Sequence, residues 1–117
     1  MDIETVREYC LSKRAATEEF PFDDTTLVFK VADKMFACMP LEKADMLILK
    51  CDAEYALELR EEYSAIEPAW HFNKKYWNQL RISELEEGLL KRLIDHSYDE
   101  VIRKMPRKLR EEIETLE

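Results

Sequence analysis

Thr26-Leu27-Val28-Phe29-Lys30-Val31-Ala32-Asp33-Lys34-Met35-Phe36-Ala37-Cys38-Met39 opens with a period of two. Leu27, Phe29 and Val31 point one way while Thr26, Val28 and Lys30 point the other, the alternation of a strand that faces a core on one side. Ala32-Asp33-Lys34 predicts a hairpin turn, made without the glycine such turns favour. Met35 to Met39 returns as a second strand, ended by Pro40, and Met46 to Cys51 reads as a third short strand of apolar character. Three strands joined by short links predict an antiparallel meander.

Outward from this meander the period becomes helical. Ile3, Val6 and Cys10 share a face, with Asp2 available as N-cap and Glu4 in the first turn, so a helix is expected from Asp2 to about Lys13. Ala16 to Phe22, with Pro21 inside it, suits only a short edge strand. After the third strand, Asp52 caps a helix carrying Ala56, Leu59 and Tyr63, and Ile66-Glu67-Pro68 breaks it. Trp77 to Ile82 is a further strand candidate. Ser83 with Glu86 carries the signature of a capping box ahead of Leu85, Leu89, Leu90, Leu93 and Ile94. Ser97 with Glu100 repeats it, which predicts a break or kink near His96. Beyond Pro106, Leu109, Ile113 and Leu116 predict a last helix. No repeat, linker or low-complexity stretch interrupts the 117 residues, so one domain over 1–117 is expected.

Charge narrows the function classes. The net charge of −8 opposes indiscriminate polyanion binding, but it is unevenly spread. Trp70 to Arg81 holds Lys74, Lys75 and Arg81 and no acid; Arg103 to Arg110 holds Arg103, Lys104, Arg107, Lys108 and Arg110 and no acid. These two windows take 8 of the 18 basic residues and leave the rest of the chain at −16, so the molecule is polarised. The C-terminal run is read chiefly as a solvated face, with Glu111, Glu112 and Glu114 placed to pair at helical spacing.

Trp70-His71-Phe72-Asn73-Lys74-Lys75-Tyr76-Trp77-Asn78 is the chemically densest segment. Its amides donate and accept, its lysines carry charge and its aromatic rings offer stacking faces, a combination suited to phosphates with unstacked bases or to an anionic small ligand. The plainer reading of the same residues is a loop anchored to a sheet by its aromatics. The segment resembles the hallmark string of the MmcQ/YjbR family. Pro21-Phe22-Asp23, Phe29-Lys30-Val31, Lys34-Met35-Phe36-Ala37, Ser97-Tyr98 with Val101, and Met105-Pro106 extend the resemblance over nearly the whole chain. Ala32-Asp33-Lys34 departs from it, since family members often carry glycine there.

The resemblance implies an α+β, two-layer domain, with an antiparallel sheet of about five strands backed by helices on one face. Such domains are related to secretion-chaperone-like and frataxin-like architectures. Members are commonly labelled DNA-binding proteins with a double-wing motif, and no established enzyme activity accompanies the label. The candidate ligand- or nucleic-acid-binding residues are therefore Trp70, His71, Asn73, Lys74, Lys75, Tyr76, Trp77, Asn78 and Arg81. The expected partners are nucleic acid, bound weakly, or, as the alternative, a protein partner of a chaperone-like adaptor.

Other chemistries find little support. With a single glycine, Gly88, the chain can build no phosphate-binding glycine loop, dinucleotide fingerprint or nucleophile elbow, so no catalytic residues are assigned. His71 and His96 lie far apart and outside any ligand-spaced pattern, so no metal site and no cofactor are expected. Cys10, Cys38 and Cys51 include no Cys-x-x-Cys pair and read as three buried thiols. No stretch approaches the roughly 18 apolar residues of a membrane span, and Asp2 and Glu4 stand where a signal peptide would begin basic, which together lead to the expectation of a cytoplasmic protein.

Overall fold

In the computed structural model, which describes residues 1–43 and 45–116, β1 (Ala16–Glu19), β2 (Thr26–Val31), β3 (Lys34–Pro40) and β4 (Met46–Lys50) follow the first helix, α1 (Ile3–Leu11). Then come α2 (Ala53–Glu62), β5 (Ile66–Pro68), β6 (Trp77–Arg81), a 3-10 turn at Ile82–Glu84, α3 (Glu87–Arg103) and α4 (Arg107–Glu114). The strands form one antiparallel sheet in the order β1-β2-β3-β4-β6-β5. The sixth strand is β5: Ile66-Glu67-Pro68 ends the helical stretch and also pairs with β6, with Pro68 on the sheet edge where a missing N–H costs no ladder bond.

The β2–β3 turn spans two residues, Ala32 and Asp33, at φ 48° and 65°. Positive φ at both central positions matches the twist of the flanking strands, which is how the hairpin closes without glycine. Asp tolerates this conformation, whereas the alanine Cβ is strained by it, at about 1–2 kcal/mol. Ala32→Gly is therefore expected to raise stability by roughly 0.5–1 kcal/mol, since the added freedom of the unfolded chain offsets part of the relief. The urea midpoint measures this, and a lower midpoint would contradict it.

Within the hairpin the alternation breaks once. Phe29 pairs with Ala37 and Lys30 with Met35, leaving Phe36 as the extra residue of a bulge. Phe36 and Ala37, adjacent in sequence, thus both join the main core. That core collects Leu27, Phe29, Val31, Leu47, Leu49 and Leu80 from the sheet. Against them pack Val6 and Cys10 of α1, Ala56 and Leu59 of α2, Leu90 and Ile94 of α3, and Ile113 of α4, so the helices share one face. Across the sheet lies a smaller cluster of Val28, Cys38, Ile48 and Ala69, joined by Met35, Met46, Phe72 and Trp77.

Both expected capping boxes of the C-terminal half are replaced by tertiary contacts. Ser83 donates its hydroxyl to Asp45 at 2.6 Å and its amide to the same carboxylate at 2.7 Å, and α3 begins four residues later. Ser97 is fully buried inside an unbroken α3; its hydroxyl accepts from the Lys50 amide at 2.9 Å and donates to the Phe36 carbonyl at 2.5 Å. By contrast, Asp2 caps α1 through reciprocal bonds with Thr5, both 2.9 Å, because every partner lies within one turn.

All three cysteines are buried free thiols. Burial pushes Cys10 and Cys51 up to about 12 and Cys38 up to about 11. The native chain then retains protons that the unfolded chain releases above the ordinary thiol value near 9.0, so stability must fall as pH rises. The urea midpoint should hold level between pH 7 and 8 and decline from pH 9 upward. Replacing the three cysteines by alanine should remove most of the decline below pH 10; an unchanged slope would exclude thiol linkage as its cause.

Candidate nucleic-acid interface

The β5–β6 connection, residues 69–76, folds back over the sheet face that carries no helix. The Ala69 amide donates to the Trp77 carbonyl at 3.0 Å and closes the loop at its base. Phe72 N–H to Ala69 O and Tyr76 N–H to Asn73 O, both 3.0 Å, tighten its two halves. Asn73 also accepts from the Lys75 amide at 3.1 Å through its side chain, the local bond that makes asparagine a turn residue. The rings of Phe72 and Trp77, 5.2 Å apart, anchor the loop on Val28, Cys38 and Ile48.

Asn78, next to this loop on β6, faces inward. It is 2% exposed; its side-chain oxygen accepts from Arg60 Nε at 2.6 Å and its nitrogen donates to the Ala56 carbonyl at 3.4 Å. Arg60 of α2 in turn donates to the Lys74 carbonyl, so one guanidinium ties helix, strand and loop together. Arg81 is likewise engaged, against Glu84, Glu67 at 3.2 Å and the Ser64 carbonyl at 2.8 Å. Its charge is spent at the sheet edge.

The outward side of the loop is cationic and aromatic. Trp70 is 55% exposed with Lys74 Nζ 4.7 Å above its ring. Lys75 Nζ lies 5.4 Å from the Tyr76 ring, and Lys104, from the far end of α3, lies 4.8 Å from the same ring. The two basic windows of the sequence therefore meet at Tyr76. Lys50, paired across the sheet with Trp77, adds a third amine: burial first, then the nearby charges of Lys104 and Lys34, hold its pKa below the ordinary lysine value, with Glu100 opposing. Elsewhere in the second window Arg103 is bidentate on Glu100 at 2.9 and 3.0 Å and Arg107 binds Glu111 at 2.9 Å.

At the opposite end of the same strands the open face holds a groove of ≈520 Å³. Cys38 and Ile48 contribute to its lining together with Met46, Pro40 and Phe72, while His71, Thr26 and Gln79 bring polar edges. Among the described residues no three His, Cys, Asp or Glu side chains are grouped to hold a metal ion, and no helix is long and apolar enough to cross a membrane. Lys34, Lys50 and the groove belong to no motif of the sequence. Lys50 alone had a signal there, the two-residue period that puts it with Met46 and Ile48 on the open face.

Residues 11–100 match the family model described as YjbR. The chain belongs to the YjbR family. Its similarity to "Uncharacterized protein YjbR" of Escherichia coli (strain K12) is 29% identity over 112 residues, 94% of this chain and 95% of that protein. Among solved structures, the YjbR fold seen here resembles Deinococcus radiodurans protein DR2400, a DUF419 domain, with a TM-score of 0.90 and 33% identity over 97% of this chain and 88% of that one. A protein from Pseudomonas syringae is similar with a TM-score of 0.69 and 25% identity, over 83% and 96% of the two chains. The region matched by the family model contains the whole 69–76 loop and Lys50, whereas Lys104 lies beyond it.

Proposed function

We propose that this YjbR-family chain is a nucleic-acid-binding module that takes single strands in preference to duplex. The observation that carries the reading is the Tyr76 ring with Lys75 and Lys104 on it, drawn from segments nearly thirty residues apart in sequence. Ammonium groups beside a half-buried ring supply phosphate contacts and a stacking edge together, which a duplex with its bases already stacked cannot use in full. Trp70 with Lys74 repeats the pairing. The reading requires no bond-making step, so the module is proposed as a non-catalytic binder. Its affinity is low at physiological salt, because the net charge of −8 repels the ligand at long range.

Fluorescence titration of a labelled single strand at several salt concentrations tests this. Counterion release gives a slope of about −0.7 per phosphate contact on single strands. Lys75→Ala/Lys104→Ala should flatten the slope by about 1–2 units, equally for every base sequence. Both side chains are exposed, so folding is spared. Equal slopes for wild type and variant, or no binding at low salt, would sink the proposal and favour a protein partner instead.

A further inference from the structure

The groove is built differently from the lysine face. Its lining sets two acids, Asp23 and Glu42, against one amine, Lys43. Asp23 is no free acceptor, since it already binds the amides of Thr25 and Thr26 at 2.9 and 2.7 Å and the Thr26 hydroxyl at 3.1 Å. Such a lining repels phosphate and suits a neutral, flat group. Phe22, 69% exposed, stands at the rim, and Phe72 lines the same groove. Gln79 and His71 add polar groups to the lining that a polar-edged ring can pair with and an aliphatic side chain would leave unpaired.

The lysine cluster and the groove sit at the two ends of the same strands: Lys50 closes β4 at one and Met46 opens it at the other, roughly 14 Å away at ~3.4 Å per residue. The loop that carries Tyr76 also places His71 and Phe72 in the groove. We propose that the groove receives an unstacked base of the single strand whose phosphates lie on Lys75 and Lys104, an inference that rests on the nucleic-acid reading above. Charge separates the two parts of the ligand: phosphates go to the amines, and the base goes to the apolar, mildly acidic groove.

A labelled oligothymidylate and an abasic strand of equal length, titrated against wild type, Phe22→Ala and Lys75→Ala/Lys104→Ala, distinguish the two claims. Wild type should prefer the base-bearing strand by about 5- to 150-fold. Phe22→Ala, a change at an exposed ring, should shrink that preference at least about 5-fold (the lower end of a stacking contribution) with the salt slope unchanged. The lysine variant should flatten the slope for both strands alike. A Phe22→Ala protein that keeps the full preference, while the lysine variant still loses slope, removes the groove and leaves the nucleic-acid reading standing. Equal wild-type affinity for both strands removes the groove and the stacking role of Tyr76 and Trp70 with it, leaving phosphate contacts alone, and no binding to either at low salt removes both readings.

Discussion

Replacing Phe36 with alanine is expected to lower the unfolding free energy by about 3–5 kcal/mol, a large share of the ~5–15 kcal/mol typical of a domain. Phe36 has no exposed surface and is the extra residue of the β3 bulge. Its ring meets Tyr98 edge-on at 5.4 Å and Phe29 at 6.4 Å, so truncation removes two aromatic contacts along with the buried area. Its carbonyl also receives the Ser97 hydroxyl, a backbone link that keeps α3 in place and limits how far the cavity can collapse. The loss should appear as a lower urea midpoint with an unchanged m-value. A cost under about 1.5 kcal/mol would mean that the bulge relaxes and the core closes over the gap.

Asn78→Ala should cost about 1–3 kcal/mol, because it removes the buried amide that accepts from the half-buried Arg60 guanidinium and donates to the Ala56 carbonyl, and leaves a gap between α2 and β6. Arg60→Met removes the charge and its bonds together. The double variant should therefore cost less than the sum of the two single ones, with a coupling of roughly 0.5–3 kcal/mol. Since Arg60 also holds the Lys74 carbonyl, the 69–76 loop should loosen in Asn78→Ala, with faster amide exchange at Phe72 and Tyr76. Strict additivity, or unchanged exchange in the loop, would show that Asn78 does not organise the site.

Asn78 also marks where reading residues one at a time stops. An asparagine between Trp77 and Gln79 looks like a surface donor in a string of lysines and aromatics. Only α2, packed on the helix-covered sheet face, brings Arg60 to it. Arg81 is the same case, its partners Glu67 and Glu84 supplied by β5 and the 3-10 turn. Trp70, Lys74, Lys75 and Tyr76, in contrast, stay on the outer side of the loop, as their clustering suggests.

The local rules were legible without coordinates wherever a single element satisfies them. Alternation from Thr26 to Val31 set the inward face of β2, Asp2 and Thr5 capped α1 within one turn, and Pro21 kept β1 short and at the edge. The family string around Trp70 to Asn78 carried the α+β class with it. What the tertiary structure alone decided involves partners distant in sequence. Ser83 and Ser97 carry the pattern of caps, yet Asp45 in one case and Lys50 with Phe36 in the other outcompete the helix amides for their hydroxyls. The bulge turns Phe36 inward against strict alternation, because a buried ring between Phe29 and Tyr98 outweighs one lost ladder position. Lys104 reaches Tyr76 because α3 runs unbroken to the lysine end of the sheet, a distance and direction that no spacing along the chain encodes.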